Sequence, residues 1–349
     1  MSMVIGMCFI PLDADWPSKA SLRRKRTSFS VKIEAQAGGD QTKPLIVVGS
    51  INADLVLEVE RLPKDGETLG ARSLNTFPGG KGANQAAAAA RLEHPTYMIG
   101  QVGTDANAAL LRDALSDAGV HLDHLKEVDG PTGTAVILLQ PSGENSIIIV
   151  GGANTTAWDI DEAALELLRS AGAVLLQREI PEEVNVHVAS IAAAAGVPVL
   201  LDCGGVEGPI SSELLKNITI LSPNETELAR LTGRKAESQE EAEAAAQVML
   251  GQGPDTVLVK RGTSGSLQVS KDAGPLVQAI YPVGKVVDTT GAGDCFTGAY
   301  AVAIVEGKGA SEAMKFAAAA SALCVQKAGA MPSLPHRDEV VQLIEDQNA

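Results

Sequence analysis

The chain has 349 residues, 45% hydrophobic and 20% charged, with a net charge of −15. That length holds one large α/β domain or two small ones with an ample core, and the negative balance argues against nucleic acid as a partner. No apolar run approaches the roughly 18 residues that span a bilayer, and the four cysteines (Cys8, Cys203, Cys295, Cys324) form no CxxC pair, which suits a reducing compartment and argues against a disulfide framework or zinc site.

Residues 1–42 differ from the rest. Between Pro17 and Ile33 lie six basic residues, several serines and no acid. Such a leader reads as an organellar transit peptide or a disordered tail, and its serines favour a plastid over a mitochondrion or the cytosol. Asp13 and Asp15 depart from that pattern. A single domain is expected over residues 43–349.

Pro44 to Gly49 reads as a buried parallel strand. Asn52 and Asp54 follow it, at the strand end where open α/β sheets bind ligands. They would grip sugar hydroxyls or form an Asx turn. Residues 55–77 and 132–150 read as two strand pairs with little to bury them, a small sheet standing off the main domain. Its exposed face needs a substrate or a second subunit to cover it. Between them, Gly79-Gly80-Lys81-Gly82-Ala83-Asn84 opens an alanine helix predicted over Ala86–Leu92. It is neither a Walker loop nor GxGxxG.

His121 and His124 have HxxH spacing, without the helical or cysteine context that would support a metal. Further on, Ala173–Gln177 and Val197–Leu201 read as strands, ending at Glu179 and at the loop Asp202 to Gly205. Asn224 and Glu227 lie one helical turn apart, as a capping box or as a polar pair facing one way. Thr256–Lys260, a tight turn and Ser266–Val269 form a hairpin. An apolar run (Val283, Val286, Val287) reads as a strand entering Asp288-Thr289-Thr290-Gly291-Ala292-Gly293-Asp294, which opens a helix. Exposed amides at such a turn, with the helix dipole behind them, make an anion site. A carboxylate there, Asp294, either caps the helix or takes a proton from a hydroxyl that attacks a phosphate.

Asn52-Ala53-Asp54, the Gly80 to Asn84 turn and the Asp288 to Asp294 turn occur together in this order. On them the chain resembles the ribokinase-like (PfkB) carbohydrate kinases, from about Pro44 to the C-terminus. The resemblance implies a three-layer α/β/α domain with a mostly parallel sheet and a small β-sheet lid, and a homodimer formed through the lid. It implies ATP-dependent phosphorylation of D-ribose at its 5-hydroxyl, with Asp294 as base and Gly291, Ala292 and Gly293 as anion hole. Asn52, Ala53, Asp54, Gly80, Lys81, Gly82, Ala83, Asn84 and Glu179 correspond to sugar-binding positions. Asn224, Lys260, Arg261, Gly262, Thr263, Ser264, Gly265 and Ala318, with Gly293 and Asp294, correspond to ATP-binding ones. Glu227 corresponds to an organiser of Mg²⁺ through water, and Asp288, Thr290, Cys324, Lys327, Gly329 and Ser333 to a ring around K⁺. The resemblance leaves open another acceptor (adenosine, fructose, a keto-deoxy sugar acid) and a scaffold that has lost chemistry.

Overall fold

The structure, a computed structural model, describes residues 42–141 and 144–347. The leader expected over residues 1–42 lies outside the described residues, apart from Thr42.

Leu45, Ile46, Val47 and Val48 are all fully buried, as in a strand covered on both faces. Alternation sends Leu45 and Val47 into one core and Ile46 and Val48 into the other. In chain order the strands are β1 (Leu45–Val48), β2 (Asn52–Glu58), β3 (Ser73–Gly79), β4 (Thr96–Val102), β5 (His121–Glu127), β6 (Gly133–Leu139), β7 (Asn145–Val150), β8 (Ala173–Arg178), β9 (Val199–Gly205), β10 (Ile220–Ser222), β11 (Thr256–Lys260), β12 (Ser266–Ser270) and β13 (Ala273–Gln278). Among the described residues, nine of them form one sheet in the order β13-β12-β11-β10-β9-β8-β1-β4-β5. β11 to β5 run parallel, and β12 and β13 close one edge antiparallel. The order reverses between β1 and β8, so their carboxyl ends border the crevice where such sheets take ligands.

The alanine-rich helix Lys81–Arg91 and the helix Ala292–Val305 pack against each other on one face of the sheet. A Cβ on Gly298 would sit 3.0 Å from the Gln85 carbonyl oxygen and 3.1 Å from Ala88 Cβ, so small residues set this close approach. The helix begins at Lys81, five residues before its predicted start. Gly80, at φ 90°, makes the turn, and the polar residues Lys81, Asn84 and Gln85 occupy the first helical turns.

The strand predicted over Val283 to Val287 does not form. Residues 279–291 are irregular, with Val286 and Val287 exposed. Pro282 cannot donate to a ladder, and the segment is tied down by the N–H groups of Val287 and Asp288, which reach the Val325 carbonyl at 2.8 and 3.3 Å.

A second sheet has the order β3-β2-β6-β7. β2 pairs parallel to β6 (Asn52 opposite Gly133) and antiparallel to β3 (Asn52 opposite Gly79). Asn154 fixes its root: its carbonyl oxygen accepts from Ile51 N (2.9 Å), and its amide donates to Ile51 O (3.1 Å) and Asn52 Oδ1 (2.7 Å). At the far edge, Ile147, Ile148, Ile149 and Val150 are exposed by 53, 58, 52 and 50%. Four consecutive exposed residues leave both faces of β7 uncovered, where the sequence led one to expect a single exposed face.

Candidate active site

Gly291, at φ 78°, turns the chain into the helix Ala292–Val305. A Cβ there would also lie 2.9 Å from Ala330 Cα, so glycine is required on both counts. The Ala292 N–H donates to the Thr289 carbonyl at 3.2 Å. Those of Gly291, Gly293 and Asp294 have no partner among the described residues. Ala292 is therefore engaged within the turn, while its neighbours carry the open donors. The space before Gly293 is clear: a Cβ there would touch only Lys260 Cδ and Nζ, each at 3.9 Å.

The Asp294 side chain is turned inward, with the residue 6% exposed. Asn84 Nδ2 donates to its Oδ2 at 2.9 Å and Gln85 Nε2 to its Oδ1 at 3.2 Å. Gln177 holds Gln85 in turn, Nε2 to Oε1 at 2.8 Å. Burial pushes the Asp294 carboxyl above the usual range, against the pull of the Lys81 ammonium and these two amides. A carboxylate shifted upward, one residue from the clear space at Gly293 and beside unpaired amides, can accept a proton from a hydroxyl while the amides receive negative oxygen.

Three more groups converge from other elements. Glu179, just past β8, accepts from Ser50 Oγ at 2.6 Å and from Lys81 N at 3.2 Å. Asp54, on β2, is pushed up to about 7 by burial, then by the charges of Glu179 and Asp294. Lys81 feels Asp294 most strongly, which holds its ammonium well above the usual range. Asn84 Oδ1 is buried without a partner and so is an acceptor in search of a donor.

On the opposite side, Asn224 and Glu227 form a reciprocal capping box, each side chain on the other's backbone N–H at 2.8 Å. That uses Glu227 Oε2 and leaves Oε1 available for a water on a hard cation. Its charge helps hold the Lys81 and Lys260 ammonium groups above the usual range. Lys260 ends β11 and points inward, whereas the buried Arg261 guanidinium is turned to Glu225, Nε to Oε1 at 3.7 Å. The Arg261 side chain is thus engaged by Glu225. Gly262–Ser264 form a short 3₁₀ turn that Gly265 ends, and Ala318 is half-buried on the helix Ala310–Cys324.

Asp288 organises the loop beneath. Its Oδ1 accepts from the N–H and hydroxyl of Thr290 (2.9 and 2.7 Å) and its Oδ2 from Gly329 N (2.8 Å). Cys324 Sγ lies 3.0 Å from Ser333 Oγ, which also donates to the Ala330 carbonyl at 2.7 Å. The Lys327 ammonium turns away to Glu339 at 3.1 Å, so its side chain is no ligand. Among the described residues no three histidine, cysteine or acidic side chains cluster to hold a metal.

Residues 42–337 match the pfkB family carbohydrate kinases. The chain belongs to that family. It is 54% identical to a ribokinase of Arabidopsis thaliana over 306 residues, 86% of this chain and 81% of that one. With a ribokinase of Bacillus subtilis the identity is 38% over 304 residues, 86% of this chain and 99% of the relative. The solved structure of Arabidopsis thaliana ribokinase complexed with ribose and ATP superposes with a TM-score of 0.84 at 53% identity, covering 87% of this chain and 99% of that one.

Within this pfkB kinase, Asp54, Lys81, Asn84, Glu179 and Asp294 come together from β2, the first helix, the end of β8 and the Asp294 helix. Asn52 is buried and already bonded to Asn154. It anchors the root of the small sheet, and the buried Ala53 fills space beside it. Gly80 and Gly82 act by absence. A Cβ on Gly82 would lie 2.7 Å from Ser50 N, and one on Gly80 2.7 Å from Asn52 N. Sequence reasoning missed Gln85, Gln177, Ser50 and Asp202. Gln85 directly follows Asn84, so the one-turn spacing from Lys81 was the only signal available; the others carried none.

Proposed function

We propose that this kinase transfers the γ-phosphoryl group of ATP to the 5-hydroxyl of D-ribose. The observation that carries this reading is a buried, upward-shifted Asp294 beside the unpaired amides of Gly291, Gly293 and Asp294, with Asp54 and Glu179 across the pocket. Carboxylates there accept hydrogen bonds from a polyol's hydroxyls, and Asn84 Oδ1 takes one more. Asp294 accepts the proton of the attacking hydroxyl, and the amides receive charge on the phosphoryl oxygens. Glu227 would hold Mg²⁺ through water, and that ion, when bound, neutralises phosphate charge. Asp288 with the carbonyls near Thr290, Cys324, Lys327 and Gly329, and Ser333, would hold K⁺ and fix the anion-hole turn. The main chain of Lys260 to Gly265 and the face at Ala318 would receive the nucleotide.

The test is a panel of ribose, 2-deoxyribose, fructose, a keto-deoxy sugar acid and adenosine, each with ATP, with and without K⁺. Ribose is expected to give the highest kcat/KM, and K⁺ to raise it. A preference for adenosine would overturn the assignment of the acceptor.

Asp54 supplies a second prediction. Its protonated form is the one the fold favours, so its contribution to stability is lost as pH rises through about 7. Ribose needs the ionised form to accept hydroxyl protons. Hence kcat/KM for ribose should rise about tenfold between roughly pH 6 and 8 as this group ionises. In Asp54→Asn that component should vanish and KM for ribose should rise. An unchanged pH profile in the variant would remove Asp54 from the sugar site.

We further propose that the exposed β7 edge is where two copies meet, as a homodimer through the lid. Light scattering should give twice the chain mass, and Ile148→Lys should halve it. The assignment of residues 1–42 as a plastid transit segment rests on their basic, serine-containing composition. A fusion of those residues to a fluorescent protein that stayed in the cytosol would refute it.

A further inference from the structure

Asp202, in the middle of β9, is 2% exposed and has no part in the chemistry above. Its Oδ2 receives Lys260 Nζ at 2.6 Å. The Thr297 hydroxyl lies 2.9 Å from the same oxygen and 3.0 Å from the Gly293 carbonyl, sharing its proton between them. Oδ1 accepts from Gly204 N at 2.9 Å. A Cβ on Gly204 would fall 2.8 Å from Lys81 Nζ and 3.1 Å from Asp202 Oδ1, so Lys81 and Asp202 meet over that glycine. One carboxylate therefore joins the Lys260 ammonium to the anion-hole turn, with the Lys81 ammonium nearby.

A buried ion pair is by itself weak evidence of anything beyond packing. Two observations separate this one from that case. Lys260 Nζ has three donors, and Asp202 and no other group receives one of them among the described residues. The ammonium also borders the clear volume before Gly293. The crevice is otherwise acidic: Asp54, Glu179, Asp202, Glu227 and Asp294 outnumber Lys81 and Lys260. Of the two lysines, Lys260 and not Lys81 lies within 4 Å of that volume, so it is the cation placed to meet an incoming anion.

We propose that the Lys260 ammonium contacts the γ-phosphoryl group, and that Asp202 is the positioning residue that aims it there. This rests on the phosphoryl-transfer reading above but not on which sugar is the acceptor. Lys260 thereby discriminates triphosphate from diphosphate at the spot where charge moves, and Asp202 keeps it extended along the floor of the crevice while tying it to the Gly293 turn through Thr297.

The experiment measures nucleotide binding by calorimetry, with the β,γ-imido analogue of ATP and with ADP, alongside steady-state kinetics. Lys260→Met should weaken the analogue tenfold or more and ADP less than about threefold, with KM for the acceptor within about threefold. Its kcat should drop roughly 10²–10³-fold, as for loss of a donor to transition-state charge, and Lys260→Arg should recover part. Asp202→Asn should lower kcat at least about tenfold alone but less than about threefold in the Lys260→Met background, because it acts through that lysine. Should Lys260→Met fail to fold with Asp202 left unpaired, the neutral pair Asp202→Asn/Lys260→Met is measured in its place and must show the same loss for the analogue over ADP. Equal losses for both nucleotides, or multiplicative effects of the two substitutions, would overturn the proposal. The binding arm needs no acceptor, so it stands apart from any failure of the ribose assignment, which would show as absent ribose turnover in the wild type.

Discussion

Asp294→Asn is expected to lower kcat for ribose by about 10²–10⁴, the range for losing a general base, and to leave the fold intact. The substitution keeps the shape and removes the proton acceptor. Its new amide group needs an acceptor of its own where Asn84 Nδ2 and Gln85 Nε2 now donate. A flip of the Asn84 amide supplies one, because Asn84 Oδ1 is buried and unused. The wild-type carboxyl is shifted upward by burial, so its charged form costs the fold stability; replacing it with a neutral group should hold or raise Tm. Lys81 loses its strongest counter-charge but keeps Asp202 and Glu179. Because the amides and Lys260 remain, ATP affinity should change little. A coupled assay for ADP release with thermal melts reads both effects, and wild-type turnover in a well-folded variant would end the assignment of the base.

Gly293→Ala separates stability from activity in the opposite sense. Gly293 lies in the first turn of a helix, where alanine is preferred over glycine by up to about 1 kcal/mol. The added methyl meets nothing closer than Lys260 at 3.9 Å. The variant should therefore melt at the wild-type temperature or slightly above. The volume it fills is where a phosphoryl oxygen must approach the free amides, so kcat should drop by roughly 10² or more, as when an anion-hole donor is lost. Gly291→Ala is the contrast. Its φ of 78° and the 2.9 Å approach of Ala330 leave no room, so it should lose stability as well as activity. Full activity in a stable Gly293→Ala enzyme would mean that phosphate binds elsewhere.

Two kinds of sequence information were legible here. Fully apolar strands such as Leu45–Val48 announced a sheet covered on both faces, and the glycine turns announced backbone brought close to a ligand, because both are local consequences of residue type. The helix at Lys81 began earlier than its alanine run, since a glycine at positive φ makes the turn and Glu179 and Ser50 accept from the first N–H groups of a polar turn that propensity alone disfavours. Val283 to Val287 looked like a strand by content, but Pro282 and the pull of Val325 on the backbone overrode it. Asp202 was read only as the start of a loop after the strand Val197–Leu201. Its significance lies in Lys260 and Thr297, 58 and 95 positions away, and nothing near it in the chain reports such partners. Gln177 was hidden for the same reason, as one buried residue near the end of an ordinary strand.

The clamp of Asn154 on Ile51 and Asn52 has a mechanical corollary. β2 leaves that fulcrum directly, and Asp54 sits two residues along it, so the small sheet behaves as a lever whose short arm carries a sugar-facing carboxylate. Any tilt of its outer strands rotates Asp54 relative to Glu179 and Asp294. Cargo that pulls on Asp54 would thereby be felt at the far end of β2, at Glu58, four residues on.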